Sequence, residues 1–168
     1  GKRFDGDEKV TDLLLACYEK QAAGQDPEPV WKVVEDRYRQ IIRGLKMDLS
    51  LEEEFLSIRK ALGEGAGRDY LASRGEYLNG KVLAAYLGWD FLDAADGIFF
   101  KEDGSLDQKK TYSTLAALLK ARERAVLPGF YGTGADGAIR TFTRGGSDVT
   151  GAIVARAAGA DVYENWTD

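Results

Sequence analysis

The second half of the chain alternates segments of helical spacing with short apolar segments, and this alternation constrains the fold most. The helical segments are residues 73–87, 107–123 and 147–158, and the strand-like segments are residues 89–94, 98–100, 125–131, 138–143 and 161–166. Alternation of this kind is typical of sheets that are covered by helices. The sequence therefore predicts an α/β fold, with an open, largely parallel sheet flanked by helices.

The first half of the chain has helical patterns alone. One helix is predicted over residues 10–23, and a second begins at Pro29, whose ring suits the first turn of a helix. Residues 50–53 (SLEE) form a capping-box pattern, which predicts a third helix that ends near Gly63. Residues 26–63 are thus expected to form a helical hairpin without a chemical motif, interpreted as a scaffold or an insertion with a solvated charged face.

Length and composition limit the class of protein. The 168 residues, 44% of them hydrophobic, suffice for one α/β domain and are too few for two ordinary ones. The net charge of −5 argues against a protein that coats nucleic acid or an anionic membrane. No apolar run approaches the roughly 20 residues of a membrane span, and no signal-peptide core is present. We therefore expect a cytoplasmic protein.

The rare residue types exclude several kinds of catalytic site. Histidine is absent, which removes Ser-His-Asp and Cys-His nucleophiles and histidine zinc sites. Cys17 is the one cysteine, so it forms neither an intrachain disulfide nor a cysteine zinc cluster. Its apolar helical surroundings predict that Cys17 is buried as a packing residue.

Residues 132–137 (GTGADG) match the glycine spacing of a dinucleotide-binding turn. Such a turn needs a helix after it, so that the helix N-terminus meets the pyrophosphate. The residues that follow alternate as a strand, and Asp136-Gly137 is a typical hairpin pair. The pattern therefore favours a hairpin loop over a dinucleotide site, which makes a dinucleotide-dependent oxidoreductase a distant alternative.

Residues 143–148 (TRGGSD) are the strongest local feature. Two glycines permit a tight turn with uncovered amides, and Ser147 and Asp148 open a helix of small residues. A helix N-terminus after a glycine pair is suited to an anion, and Arg144 could clamp a carboxylate or a phosphate. The alternative is an ordinary capped helix whose Arg144 pairs with a surface acid, and the six residues alone leave both interpretations open.

Residues 73–76 (SRGE) also open a predicted helix. The Ser-x-x-Glu spacing is that of a capping box, and the pattern alone favours this role for Glu76. Gly75 is unusual in a first helical turn, because glycine costs helix stability. A ligand or another backbone close to Gly75 would explain it, and Glu76 could then bind an ammonium group.

These motifs occur together in an order that resembles the aspartate kinases of the amino-acid kinase family. The resemblance extends over nearly the whole chain, and its motifs are residues 9–14 (KVTDLL), 73–78 (SRGEYL), 128–132 (PGFYG), 142–150 (FTRGGSDVT) and 166–168 (WTD). The combination of the Arg-Gly-Gly-Ser-Asp segment with the upstream Ser-x-Gly-Glu helix is its most specific part.

The resemblance implies transfer of the ATP γ-phosphoryl group to the β-carboxylate of L-aspartate, giving 4-phospho-L-aspartate, with Mg²⁺ as the accompanying ion. This reaction is the first step in the biosynthesis of lysine, threonine and methionine. The implied substrate contacts are Thr11, Glu76 and Arg144; the implied catalytic residues are Ser147 and Asp148; the implied nucleotide contacts are Gly145, Gly146, Thr167 and Asp168. The full-length protein is expected to be a homodimer.

The chain also departs from the family pattern. It contains no Lys-x-Gly-Gly strand, it stops at Thr167-Asp168, and Arg74 stands where histidine or tyrosine is usual. We therefore expect residues 1–168 to be the substrate-binding part of a catalytic domain truncated at both ends, and to be inactive alone. The alternatives are a non-catalytic amino-acid sensor or assembly module, or an amino-acid kinase that acts on another carboxylate.

Overall fold

A computed structural model describes residues 4–143 and 145–166. The chain divides into two compact units, with the boundary between Tyr86 and Leu87. In chain order the elements are α1 (Val10–Ala22), α2 (Glu28–Gly44), α3 (Glu52–Gly63), α4 (Arg68–Leu87), β1 (Asp90–Phe91), α5 (Ala94–Gly97), α6 (Gln108–Lys120), β2 (Ala125–Val126), β3 (Tyr131–Thr133), β4 (Ile139–Thr141) and α7 (Gly146–Ala158).

The first unit is a helical bundle with one core. The fully buried side chains at its centre come from all four helices, namely Leu14, Trp31, Val34, Phe55, Ile58, Leu71 and Leu78. Cys17 lies in this core, and burial raises the pKa of its thiol to about 11, as expected of a packing residue. The apolar faces of α2 and α3 therefore belong to the same core as α1 and α4.

The predicted helical hairpin is present, but part of its charge is buried. Two ion pairs, Arg59–Glu28 at 2.5 Å and Arg39–Glu52 at 2.8 Å, join α2 and α3 in antiparallel orientation. Glu35 lies between them, buried, and accepts a hydrogen bond from the Trp31 indole nitrogen at 2.6 Å. The expectation that the hairpin charges form a solvated face was therefore wrong for Glu35, and also for Arg37, which is buried as well.

Helix α4 begins five residues earlier than expected, at Arg68. The prediction of a start at Ser73 was wrong, because Leu71 and Ala72 continue the buried helical pattern before it. The buried Ser73 hydroxyl donates to the Tyr70 carbonyl at 2.7 Å within the helix. Ser73 and Glu76 therefore do not form a capping box, and that explanation for Glu76 is removed.

The start of α3 also differs from its predicted capping box. Its N-cap residue is Leu51, and the Ser50 hydroxyl accepts from the Glu52 amide at 3.4 Å. A serine two residues before the amide forms a local turn instead of the longer capping-box bond. The helix nevertheless ends at Gly63, where the sequence places it.

The second unit combines short strands with helices. Strand β1 pairs in parallel with β2, and β3 pairs in antiparallel with β4. Phe99 adds a parallel bridge to Thr133 of β3. The α/β class is confirmed, although the described strands form two separate two-stranded sheets, one parallel and one antiparallel, in place of the single open sheet that was expected.

Two predicted strands are interrupted by local backbone geometry. The segment 89–94 gives only β1, because the Asp93 carboxylate accepts from the Ala95 amide at 3.0 Å and starts the short helix α5. The segment 125–131 splits into β2 and β3, because Phe130 has a φ of +65° that no strand tolerates. In contrast, Gly137 at φ +81° forms the predicted hairpin turn, so residues 132–137 lead into strand β4 and not into a helix.

Within the described range 145–166, residues 161–166 form no strand, contrary to expectation. Tyr163 and Asn165 of this segment contact α7 instead, whereas Val162 and Trp166 are exposed. A Cβ atom at Gly151 would collide with the Tyr163 hydroxyl, which shows that the phenol lies directly on the helix backbone.

Candidate functional site

The start of α7 is built by a backbone-to-backbone contact. Gly145 takes the left-handed conformation at φ +57° and precedes the first helical residue, Gly146. A Cβ atom at Gly146 would lie 2.6 Å from Phe130 Cβ and 2.9 Å from Phe142 Cβ. Gly145 therefore permits the turn, because glycine tolerates a positive φ. Gly146 permits the close approach of the Phe130 and Phe142 residues, because it has no side chain.

The loop that packs on this helix start is held in a strained conformation. The Phe130 amide donates to the Thr150 hydroxyl at 3.0 Å, and that hydroxyl donates to the Gly146 carbonyl at 2.7 Å. The Phe142 amide donates to the Phe130 carbonyl at 2.9 Å. Neither Phe130 nor Thr150 was predicted from the sequence as a site residue, because residue type alone does not indicate a positive φ at phenylalanine.

Ser147 and Asp148 occupy the first turn of α7, and both are exposed. The Asp148 carboxylate accepts from the Asn165 amide nitrogen at 3.3 Å, and the Asp148 carbonyl accepts from the Tyr163 hydroxyl at 3.5 Å. The partial positive charge of a helix N-terminus favours an anion here. The geometry is therefore suited to a phosphate, with a carboxylate at its edge.

A second group of predicted residues lies in the first unit. Glu76 is exposed on α4, and Thr11 is half-buried on α1. A Cβ atom at Gly75 would lie 3.7 Å from Thr11 Oγ1 and 3.4 Å from Val10 Cγ1. Gly75 is therefore the place where α1 packs closely on α4, and this contact places Thr11 beside the turn that carries Glu76.

Tyr38 of α2 reaches the same turn from another side. Its hydroxyl donates to the Gly75 carbonyl at 2.8 Å, and the side chain is buried. Burial raises the pKa of the Tyr38 phenol well above its usual value, and the negative charge of Glu76 raises it further. The phenol therefore stays protonated and able to donate at neutral pH.

Arg74 has a packing role within α4. Its guanidinium lies between the rings of Tyr70 and Tyr77, 4.6 and 4.5 Å from their centroids, and donates to the Ser73 hydroxyl at 2.9 Å. Cation–π contacts on two sides stabilise a buried charge. The departure from the usual histidine or tyrosine at this position is thus accommodated by aromatic neighbours.

The structure brings the predicted residues together in two groups, each within its own unit. Thr11 lies beside Gly75, the residue before Glu76, in the first unit, whereas Gly145, Gly146, Ser147 and Asp148 are consecutive at the start of α7 in the second. The predicted contacts Arg144, Thr167 and Asp168 lie outside the described residues.

The described residues hold no group of three or more aspartate, glutamate, histidine or cysteine side chains that could bind a metal ion. A magnesium ion that accompanies a nucleotide needs only one or two carboxylates, since phosphates and water supply the other ligands. The exposed Asp148 at the start of α7 fits such a role.

None of the helices in ranges 4–143 and 145–166 is long and apolar enough to span a membrane.

Comparison with known proteins gives a consistent result. The family model of the amino acid kinase family matches residues 10–168. Aspartokinase 3 of Bacillus subtilis is 36% identical over an alignment of 183 positions, which includes all of this chain and 40% of that protein. The chain thus spans about two fifths of the length of this relative.

Solved structures extend the comparison. The crystal structure of Clostridium acetobutylicum aspartate kinase matches with a TM-score of 0.96 and 45% identity, over 100% of this chain and 39% of that one. Aspartokinase III of E. coli, solved with aspartate and ADP, matches with a TM-score of 0.65 and 22% identity over 96% of this chain and 41% of that one. The second match shows the shared fold alone.

Proposed function

The chain belongs to the amino acid kinase family, and we propose that it is the substrate-binding part of an aspartate kinase. The observation that carries this proposal is the start of α7, where Gly145 and Gly146 leave a helix N-terminus against the Phe130 loop. The 36% and 45% identity to proteins named as aspartate kinases supports aspartate as the acceptor.

The reaction is the transfer of the γ-phosphoryl group of ATP to L-aspartate. A β-carboxylate oxygen attacks the γ-phosphorus, the bond to the β,γ-bridging oxygen breaks, and ADP leaves with that electron pair. The carboxylate is already ionised at neutral pH, since its usual pKa is about 3.9, so no base is required. A chain without histidine is therefore compatible with this chemistry.

The proposed contacts of the amino acid are Glu76 and Thr11 of the first unit, together with Arg144 from the later half of the chain. The exposed Glu76 carboxylate binds the substrate ammonium, and the Thr11 hydroxyl, which lies beside Gly75, hydrogen-bonds to the substrate. Arg144 binds a substrate carboxylate as a bidentate partner. A free ammonium is what separates aspartate from N-acetylated acceptors, so Glu76 carries the discrimination against them.

The residues proposed to bind the phosphates lie in the second unit. Backbone amides of residues 145–147 and the α7 N-terminus stabilise the negative charge that is shared in the transition state. Asp148, whose carboxylate accepts a hydrogen bond from Asn165, would be the protein residue that holds Mg²⁺. The bound ion supplies charge neutralisation between two anionic reactants. Thr167 and Asp168 begin the nucleotide-binding segment.

For the whole protein, we propose a cytoplasmic homodimer that uses ATP and Mg²⁺, on the strength of the family resemblance. The net charge of −5 supports the absence of a nucleic-acid partner.

The test is an ADP-release assay on the full-length protein with L-aspartate, L-glutamate and N-acetyl-L-aspartate. We expect turnover with L-aspartate alone, and at least a tenfold loss of kcat/KM for aspartate in Glu76→Gln, since a charge-assisted hydrogen bond is lost. Glu53→Gln, an exposed glutamate on α3, is the matched control and should behave as the wild type. Turnover with another acceptor, or none at all, would refute the proposal.

A further inference from the structure

Tyr38 is a buried tyrosine whose hydroxyl forms a hydrogen bond with the neighbouring helix α4. The side chain is 3% exposed in the core of the first unit. Its ring packs on Phe55 with centroids 6.3 Å apart, a contact that phenylalanine could make equally well. The hydroxyl is what distinguishes tyrosine here, and it donates to the Gly75 carbonyl of α4 at 2.8 Å.

The acceptor of this hydrogen bond lies at a junction of three helices. Gly75 has no side chain, and α1 packs against it through Val10 and Thr11. Tyr38 approaches the same residue from α2. The Gly75 carbonyl that accepts this hydrogen bond belongs to the peptide unit between Gly75 and Glu76. The hydrogen bond therefore restrains the helical turn that carries the Glu76 carboxylate.

The residue next to Tyr38 ties α2 to the other element of this junction. Arg37 is 4% exposed, and its guanidinium donates to the Asp7 carboxylate at 2.7 Å and to the Glu8 carbonyl at 2.6 Å. Residues 7 and 8 lead directly into α1, which carries Thr11. Consecutive residues of α2 therefore hold the segments that carry Thr11 and Glu76.

We propose that Tyr38 is a positioning residue for the acceptor amino acid, because its hydroxyl sets the place of the Glu76 carboxylate relative to Thr11. This inference rests on the proposed function, in which Glu76 binds the substrate ammonium. Helix α2, which has no chemical motif of its own, thereby determines how tightly the ammonium group is bound.

The first measurement is the steady-state kinetics of Tyr38→Phe in the full-length protein. Loss of one hydrogen bond predicts a KM for L-aspartate that is about fivefold higher. We expect kcat and the KM for ATP to stay within about twofold of the wild type, because the phosphate groups are bound elsewhere. Tyr86→Phe, an exposed tyrosine on the same helix as Glu76, is the control and should change none of these values.

A double-mutant cycle separates positioning from a general loss of packing. If Tyr38 acts through Glu76, then Tyr38→Phe should change kcat/KM for aspartate less than about twofold in a Glu76→Gln background. A purely structural effect would instead give the same fivefold loss in both backgrounds, and that result would overturn the inference. Thermal unfolding of each variant establishes that the assay temperature lies below its transition.

The two proposals fail in different ways. Absence of aspartate-dependent ADP release by the wild type would refute the proposed function and this inference with it. A wild type that phosphorylates aspartate, together with an unchanged KM for aspartate in Tyr38→Phe, would refute the positioning role alone.

Discussion

At the scale of single residues, the glycine pair at the start of α7 occupies two consecutive positions that do not accommodate a side chain. Gly145 is required by its backbone conformation, at φ +57°. Gly146 has an ordinary helical conformation but faces Phe130 and Phe142 at distances that exclude a side chain. Neighbouring residues of the same type are thus fixed by different physical causes.

We predict that Gly146→Ala destabilises the chain by about 2 kcal/mol, because the added methyl group overpacks the contact with Phe130. Gly44→Ala at the end of α2 is the control, since a Cβ there has nothing within 4 Å. That control should be neutral or stabilising by about 0.5 kcal/mol. Urea denaturation followed by circular dichroism measures both, and equal midpoints for the two variants would contradict the prediction.

At the scale of elements, α2 is the helix on which the first unit depends. Its apolar face supplies Trp31, Val34 and Tyr38 to the core. Its buried Arg37 also fixes the segment before α1 through an ion pair with Asp7. A buried ion pair is sensitive to the loss of one partner, because the remaining charge is left without compensation.

We predict that Asp7→Ala lowers the free energy of unfolding by about 3 kcal/mol, since it leaves the Arg37 guanidinium buried and uncompensated. Asp5→Ala removes an exposed aspartate two residues earlier and should cost less than about 0.5 kcal/mol. Denaturant unfolding of the two variants side by side is the measurement. An Asp7→Ala variant as stable as Asp5→Ala would show that the pair contributes nothing.

At the scale of the whole molecule, the two units carry different halves of the proposed chemistry. The first unit holds Thr11 and Glu76, two of the three residues proposed for the amino acid, and the second holds the helix start proposed for the phosphates. The chain spans about two fifths of the length of the proteins it matches. It also contains no Lys-x-Gly-Gly segment, whose lysine meets the transferring phosphate in the resembled family.

We therefore predict that residues 1–168 alone release no ADP in an aspartate-dependent manner, although the full-length protein does. Charge neutralisation accounts for most of the catalysis in phosphoryl transfer, so the loss of a lysine at the phosphate is severe. A coupled ADP-release assay on both proteins, at matched concentration, is the measurement. Aspartate-dependent turnover by the 168-residue chain would show that this lysine is dispensable.

The sequence by itself determined the α/β class, the helix start at residues 145–148 and the family. These follow from local patterns, since periodicity, glycine pairs and capping residues act over a few positions. It also predicted the 136–137 hairpin turn and the C-terminal end of α4 at Leu87, which precedes Gly88 at φ +66°.

Only the tertiary structure decided how those segments meet. Four features depend on partners far away in the chain: the start of α4 at Arg68, the positive φ of Phe130, the contact of Tyr163 with α7 and the Tyr38–Gly75 hydrogen bond. Long-range packing overrides local preference where burial is gained, and a sequence pattern carries no record of which distant backbone will approach. The two groups of candidate residues were therefore named from sequence, whereas the contacts that hold each group in place required the fold.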